Sequence, residues 1–251
     1  MNLTEAIEVR RSRRKYLGTP IDPGVVSGLR ELLAEYGKAG NVRMELVVNN
    51  GEAFKGVRKS YGMFSGVNDY VGLIADPSDA AAIERIGYYG ELLVLHATAM
   101  GLGSCWVGAG GARADMPFSV SGNEELVCTI VLGNTDEKDS FKEKLIRGIV
   151  RHKTKTVREM FESDGPIPDW FMDGMNAVGK APSTVNRQPV MFYCKAGKAS
   201  AEAKDGSAGF VKLSPALLWL DFGIAKLHFE LGAGGGKWEW GNGGEFARRG
   251  S

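Results

Sequence analysis

The sequence predicts a fold of mixed helices and strands that is built from two subunit-like halves. Helical patterns alternate with short β-rich runs along the chain. The order helix, strand, strand, long helix, glycine-rich end occurs twice, with a period of roughly 130 to 140 residues, which is far too long for a solenoid. These observations predict a first half at residues 1–155 and a second half at residues 156–251.

The first half begins with a helical pattern in "VVSGLRELLAEYG", for which Asp22 and Pro23 are start signals and Gly37 is a stop signal. The runs "MELVVNN" and "NDYVGLIAD" predict two short strands. The longest helical pattern, "DAAAIERIGYYGELLVLHATAMG", is apolar on most sides, as expected of a central helix. The run "LVCTIVLG" predicts a further strand.

The second half repeats this plan. The runs "DWFMDGMNAVG" and "ALLWLDFGIAKLHFELG" predict helices, whereas "VMFYCK" and "AGFVKLS" predict strands between them. A glycine-rich stretch then leads into "KWEWG".

The composition excludes several classes of protein. A chain of 251 residues with 43% hydrophobic content is able to bury a full core. Its 31 basic and 30 acidic residues nearly cancel, so we expect neither a nucleic-acid nor a membrane partner. Three scattered cysteines, with no signal-like or membrane-spanning apolar run, predict a soluble cytoplasmic protein with reduced thiols.

The stretch "VRRSRRKY" is a candidate phosphate site, because guanidinium forks and a serine hydroxyl suit phosphate oxygens. The residues concerned are Arg10, Arg11, Ser12 and Arg14. A solvated basic face is the alternative, and composition alone favours it. In "VRHKTKTV", Lys153 and Lys155 alternate in the manner of strand side chains and would present one face to the same anion.

Two further stretches are candidates for contact with a planar ligand. In "APSTVNRQP", hydroxyl and amide groups suit the edge of a heterocycle, although ordinary turn chemistry at a capped helix end is the alternative. In "GLGSCWVGAGG", glycines allow close approach of a ligand to the backbone, although a simple turn after a helix is the commoner explanation. His96, His152 and His228 lack metal-site spacing, and two of them lie in apolar helices that favour core histidines.

Taken together, "RRSRRKY", "APSTVNRQP" and "GLGSCWVG" resemble the flavin-dependent nitroreductase family. The resemblance implies an α+β, nitroreductase-like fold that binds FMN. Family members are usually homodimers with two FMN sites in the subunit interface. Here the order of the motifs departs from the family, because the Ala-Pro-Ser stretch lies far from the Arg-Arg-Ser stretch. The chain therefore looks like the single-chain branch, in which a dimer is fused in tandem as an intramolecular pseudo-dimer.

The resemblance implies how each half contributes to one flavin site. The first half supplies the phosphate-binding residues Arg10, Arg11, Ser12 and Arg14, together with a segment under the flavin ring that contains Trp106, Val107 and Gly108. The second half supplies Pro182, Ser183, Thr184, Asn186 and Gln188. The reciprocal site would need residues 39–44, where the Pro-Ser-Thr insert is missing and Arg43 aligns with Gln188. One site and a monomeric chain are therefore expected.

The activity that the resemblance implies is transfer of hydride from NADH or NADPH to FMN and then to a small-molecule electron acceptor, such as a nitroarene or a quinone. No side chain is expected to act as a catalytic acid or base, since the flavin carries the chemistry. The alternative is a protein of the same fold that stores or senses flavin, or a relic that has lost it. A nucleic-acid binder is disfavoured by the near-neutral charge.

Overall fold

The computed structural model describes residues 1–55, 63–108, 116–136, 154–204 and 214–250. Within these ranges the α-helices are α1 Leu3–Val9, α2 Pro23–Gly40, α3 Ala80–Ala99, α4 Asp169–Val178 and α5 Pro215–Gly232. Each of the helices expected from the sequence is present as α2, α3, α4 or α5. No helix of the described ranges is long and apolar enough to cross a membrane.

The strands form two sheets, one in each half of the chain. The first sheet has the order β1-β2-β4-β3 and is antiparallel throughout, with strands β1 Arg43–Val47, β2 Asp69–Ala75, β3 Gly103–Gly108 and β4 Glu125–Gly133. The second sheet has the order β5-β6-β7-β9-β8, with strands β5 Phe161–Ser163, β6 Val190–Lys195, β7 Lys198–Ala203, β8 Gly236–Trp238 and β9 Glu245–Arg248.

The second sheet repeats the strand order of the first. Strands β6, β7, β9 and β8 neighbour one another in the same sequence as β1, β2, β4 and β3, and they are likewise antiparallel. The additional strand β5 pairs in parallel with the outer edge of β6, where Phe161 lies opposite Phe192. The stretch of chain that enters the second half is thus part of the second sheet.

The central helices α3 and α5 pack backbone to backbone at two glycines. A Cβ atom on Gly87 would lie 2.1 Å from the carbonyl oxygen of Leu220, and one on Gly223 would lie 1.9 Å from that of Glu84. Glu84 precedes Gly87 by one turn, just as Leu220 precedes Gly223, so the contact is reciprocal, as in a twofold interface. Position 84 therefore corresponds to 220, and 87 to 223.

Each sheet packs on an apolar core, and the core of the first sheet also includes Ala181, Leu220 and Ile224 from the second half. The first core joins β1, β2 and β4 to α2 and α3. The second core is rich in aromatic side chains between the second sheet and helices α4 and α5, and includes Phe171, Phe192, Phe222, Phe229 and Trp238. The half-buried Trp219 of α5 contacts both cores.

Some local expectations need correction. Helix α2 does not stop at Gly37 but continues to Gly40, because Asn41 adopts the left-handed conformation (φ 48°) and donates its N–H to the Gly37 carbonyl as a C-cap. Residues 103–108, expected as a turn, form β3, because they pair with β4. Strands β5, β7, β8 and β9 were not predicted. The run "AGFVKLS", expected as a strand, lies outside the described residues except for Ser214, which is the N-cap of α5.

Candidate functional site

The basic stretch near the N-terminus, residues 10–14, follows α1 and lies beside the start of β3. Ser12 forms a parallel bridge with Ser104, whose carbonyl oxygen accepts the N–H of Arg13 at 2.8 Å. Arg11 is exposed, whereas Ser12 and Arg14 are half-buried. We call residues 10–14 the Arg-Arg-Ser segment. Its pairing with β3 fixes the backbone, so its basic side chains leave from a defined position.

Arg10 is turned towards a buried carboxylate. Its side chain is 10% exposed, and its Nε lies 3.7 Å from Oε1 of Glu91, a fully buried residue of α3. That Nε makes no hydrogen bond to any described atom. Glu91 Oε2 accepts the indole N–H of Trp106 at 2.7 Å. Glu91 thus connects the Arg-Arg-Ser segment to β3.

The same carboxylate reaches into the second half through His228 of α5. His228 is fully buried, with Nε2 3.0 Å from Glu91 Oε1 and Nδ1 3.1 Å from the carbonyl oxygen of Ala177. A carbonyl oxygen only accepts hydrogen bonds, so Nδ1 is the donor in its contact with Ala177. The expectation that His228 is a hydrogen-bonded core histidine is confirmed. In the described part of the chain, no cluster of His, Cys, Asp or Glu could hold a metal ion.

The Ala-Pro-Ser segment, residues 181–188, connects α4 to β6 in an unusual conformation. Val185, Asn186 and Gln188 have positive φ values of 46°, 56° and 49°. Residues other than glycine seldom adopt this conformation, which costs of order 1 kcal/mol or more at each position. The surrounding contacts must therefore hold the segment in place.

Asp221 of α5 provides one of these contacts. It is 3% exposed and accepts the backbone N–H of Thr184, at 2.9 Å from Oδ2 and 3.1 Å from Oδ1, and the Thr184 hydroxyl at 3.2 Å. Burial raises the pKa of Asp221 to about 7, although the bonds from Thr184 act in the opposite direction. Pro182 and Ser183 line a small apolar pocket beside Asp221.

Lys155 anchors the other end of the segment. Its backbone N–H donates to Gln188 Oε1 at 2.8 Å, and its Nζ donates to the Gln188 carbonyl at 2.7 Å. The amide of Asn186 donates to the Thr154 hydroxyl at 2.8 Å. Burial lowers the pKa of Lys155. The described residues 154–156 form no strand, contrary to the alternating pattern, and Lys153 lies outside the described residues.

Contacts between the two halves bring these segments to one region. Glu8, next to the Arg-Arg-Ser segment, forms an ion pair with Lys180, next to the Ala-Pro-Ser segment. On the other side, Asp221 is near enough to Cys128 of β4 to contribute to a raised pKa of about 12 for this thiol, although burial is the main cause. Cys128 in turn contacts the carbonyl of Val107 at 3.1 Å.

The end of β3 offers an open edge in this region. The indole of Trp106 points inward to Glu91, and the carbonyl of Val107 accepts the Thr129 hydroxyl at 3.2 Å. Gly108 is exposed, and a Cβ atom on it would meet no described atom within 4 Å. A flat ligand could therefore approach the backbone closely here.

The equivalent position in the first half is built differently. Only Asn41 and Val42 connect α2 to β1, so no polar segment is present. Arg43 forms ion pairs with Glu45 at 2.6 Å and with Glu124 at 2.7 Å. A Cβ atom on Gly40 would lie 2.3 Å from the ring of Tyr89, which therefore packs against the end of α2.

Sequence reasoning missed Glu91 and Asp221. Each is a single acidic residue inside an apolar helical run, "GELLVLH" and "ALLWLDFG". Such an isolated acid in a helix predicted to be central is the available signal, because a buried carboxylate needs a partner.

Comparison with known proteins identifies the family and the fold. The model of the family described as "Putative TM nitroreductase" matches residues 2–233. A Thermotoga maritima protein, described as a putative nitroreductase, is 20% identical, with a TM-score of 0.64 over 98% of this chain and 92% of that one, which shows the same fold.

Shorter nitroreductases align with about half of the chain. An FMN-dependent nitroreductase from Clostridium difficile R20291 is 18% identical over 54% of this chain and 88% of its own, with a TM-score of 0.45. A nitroreductase with bound FMN from Bacteroides fragilis is 19% identical over 56% and 92%, with a TM-score of 0.42.

Proposed function

The chain belongs to the family described as "Putative TM nitroreductase", and on this premise we propose that it is an FMN-dependent oxidoreductase. It passes hydride from NADH or NADPH through the flavin to a small-molecule acceptor such as a nitroarene or a quinone. The observation that carries the proposal is the ion pair of Glu8 with Lys180, which joins the chain just before the Arg-Arg-Ser segment to the chain just before the Ala-Pro-Ser segment. These segments come from different halves of the sequence and carry complementary chemistry.

The residues present fit FMN. The phosphate group carries negative charge, and the Arg-Arg-Ser segment offers guanidinium groups and a hydroxyl on a backbone fixed by β3. The Nε of Arg10 is buried, with no hydrogen bond to the described residues. Among the described residues, none lies within 4 Å of a Cβ atom on Gly108 at the end of β3, so a ring system could lie against the backbone there.

The protein's own groups would bind and orient the cofactor. Arg10, Arg11, Ser12 and Arg14 would hold the phosphate, and Lys153 and Lys155 would add positive charge. Trp106, Val107 and Gly108 would support one face of the ring, while Pro182, Ser183, Thr184, Asn186 and Gln188 would cover its edge and exclude water. Bound FMN supplies the two-electron redox chemistry, so no side chain needs to act as an acid or base.

We propose that the halves, residues 1–155 and 156–251, form an intramolecular pseudo-dimer with one flavin site. The repeated strand order and the reciprocal contact of α3 with α5 support this arrangement. By that correspondence Asp221 matches Arg85, and Ala225 matches Tyr89. A second site is disfavoured because Tyr89 packs on Gly40 and the polar segment is absent.

A second candidate function is flavin storage or a relic fold without redox turnover. The observation in its favour is that the polar groups of the Ala-Pro-Ser segment already have internal partners. Thr184 bonds to Asp221, Asn186 to Thr154, and Gln188 to Lys155. A site whose donors are satisfied internally offers fewer of them to the flavin.

The test is an FMN titration of the purified protein, followed by reduction and reoxidation. We expect one flavin per chain, bleached by NADH or NADPH and restored by a quinone or a nitroarene. Binding without bleaching would support storage instead. Absence of binding would contradict both the oxidoreductase and flavin storage, and would support the relic. Arg11→Ala should weaken FMN binding about tenfold through loss of a charged contact. Arg30→Ala, which removes an exposed arginine of α2, is the matched control and should leave binding unchanged.

A further inference from the structure

Asp221 is an unusual residue for its position. It lies in α5 among apolar neighbours and is 3% exposed. Burying a carboxylate costs several kcal/mol unless hydrogen bonds compensate, and the hydrogen bonds found here come from Thr184. The raised pKa of about 7 indicates that this compensation is partial. Helix α5 therefore keeps a group that is costly to the fold.

The corresponding helix, α3, has no acid at the position equivalent to Asp221. The reciprocal contacts pair position 221 of α5 with position 85 of α3, which is an arginine. Arginine has only donors, so it cannot accept a backbone N–H. The loop that would lie over it is reduced to Asn41 and Val42. The acid and the polar segment occur together in one half and are both absent from the other.

We infer that Asp221 is a positioning residue that holds the Ala-Pro-Ser segment in the conformation which the flavin site requires. The inference rests on the proposed function for the role of that segment. Asp221 fixes Thr184 immediately before Val185, the first residue with positive φ. Ser183 and Lys155 fix Gln188 after Asn186. The strained residues therefore lie between two anchors, and loss of the first allows them to relax.

A residue with a purely structural role would change stability and flavin binding together, whereas Asp221 should change them separately. Replacing a buried, poorly compensated charge by an apolar side chain is often neutral or stabilising. Loss of the acceptor, however, releases Thr184 and the strained residues. Stability and flavin binding should then change in opposite directions.

The test compares Asp221→Leu with Asp221→Asn in the full-length protein. Leu provides no acceptor, whereas Asn keeps one oxygen for the Thr184 N–H. We expect Asp221→Leu to keep or raise the melting temperature, to increase amide hydrogen exchange in residues 183–188 about tenfold, and to weaken FMN binding about tenfold. Asp221→Asn should restore most of the exchange protection and FMN affinity.

Glu230→Gln is the matched control, since Glu230 is a second α5 carboxyl with a pKa raised to about 7, bonded to Tyr88 rather than to the segment. It should change neither exchange nor FMN affinity. Unchanged exchange in Asp221→Leu, or equal losses in the Asn variant, would overturn the inference. If the Leu variant does not fold, Thr184→Val, which removes the hydroxyl bond, must increase exchange in the segment.

The same measurements distinguish failure of the proposed FMN function from failure of the proposed role of Asp221. If the unmodified protein binds no FMN, the flavin proposal fails, yet the exchange measurement still decides whether Asp221 positions the segment. If FMN binds but Asp221→Leu changes neither exchange nor affinity, only the role of Asp221 is rejected.

Discussion

Ionisation of two carboxyl groups of α5 is less favourable in the folded protein than in water. Asp221 lies beneath the Ala-Pro-Ser segment, and Glu230 accepts the Tyr88 hydroxyl at 3.0 Å. Burial raises the pKa of each to about 7, from ordinary values of 3.8 and 4.5 respectively. Between these values the folded state binds more protons than the unfolded state. Their contribution to stability is therefore complete at low pH and is lost as the pH rises towards 7.

The stability of the protein should depend on pH through these two carboxyl groups. The free energy of unfolding should fall between pH 5 and 7 by up to about 1.4 kcal/mol per pH unit for each of the two groups. Urea unfolding across this range measures it. The difference between the unmodified protein and an Asp221→Asn, Glu230→Gln double variant isolates these two groups, because other titrations are common to both. Parallel pH profiles would show that neither carboxyl is shifted as described.

At the scale of elements, the contact of α3 with α5 depends on two glycines. A Cβ atom on Gly223 would lie 1.9 Å from the Glu84 carbonyl oxygen and 2.8 Å from the Tyr88 nitrogen. Both atoms belong to the backbone of α3, so neither moves without displacing the helix. The helices would have to separate to admit one methyl group.

Gly223→Ala should therefore lower the free energy of unfolding by about 3 kcal/mol, as overpacking of a tight contact does. Chemical unfolding measures the change. Gly165→Ala is the control, because a Cβ atom there meets no described atom within 4 Å and Gly165 is not among the glycines with positive φ. Equal stability of the two variants would mean that α3 and α5 do not approach as closely as described.

The sequence predicted the helices and the apolar strands well, since these patterns are set locally. Helices α2, α3 and α5 have capping side chains at Asp22, Asp79 and Ser214, which are visible as start signals. Strands such as β7, "KASAEA", lack β-branched and aromatic residues. Strand β7 forms because it pairs with β6 and β9. Pairing between distant segments is not visible in local composition.

The site was predictable as a set of motifs but not as an arrangement. Arg10 and Thr184 carry the family resemblance, whereas Glu91 and Asp221, which lie behind them, appear only as acids in apolar helices. Whether such a residue faces solvent, a partner or a ligand depends on the helix that packs against it. For Glu91 and Asp221, the packing between the two halves determines what the side chain faces, and the local sequence does not show that packing.

At the scale of the whole molecule, several contacts join the halves besides α3 and α5. Lys226 and Glu84 form a fully buried ion pair at 2.5 Å between these helices. Lys226 also donates to the carbonyls of Glu239 and Gly241, and Gly241 donates its N–H to Glu84 at 2.7 Å. The turn after β8 is thereby attached to the first half, so the halves share one interior.

Because the two halves already pack against each other within one chain, the protein should remain monomeric. Light scattering at micromolar concentration should give a mass near 27.0 kDa, with or without added FMN. A stable species of twice this mass would contradict the pseudo-dimer.

In the proposed pseudo-dimer, the pairing of position 85 with 221 and of 89 with 225 has a genetic consequence. When two identical subunits come from one gene, each mutation appears at both ends of the interface, so a change that favours one site is also imposed on the other. Here each position has its own codon. Selection could place an acid at 221 and an arginine at 85, and an alanine at 225 and a tyrosine at 89, without compromise between the two.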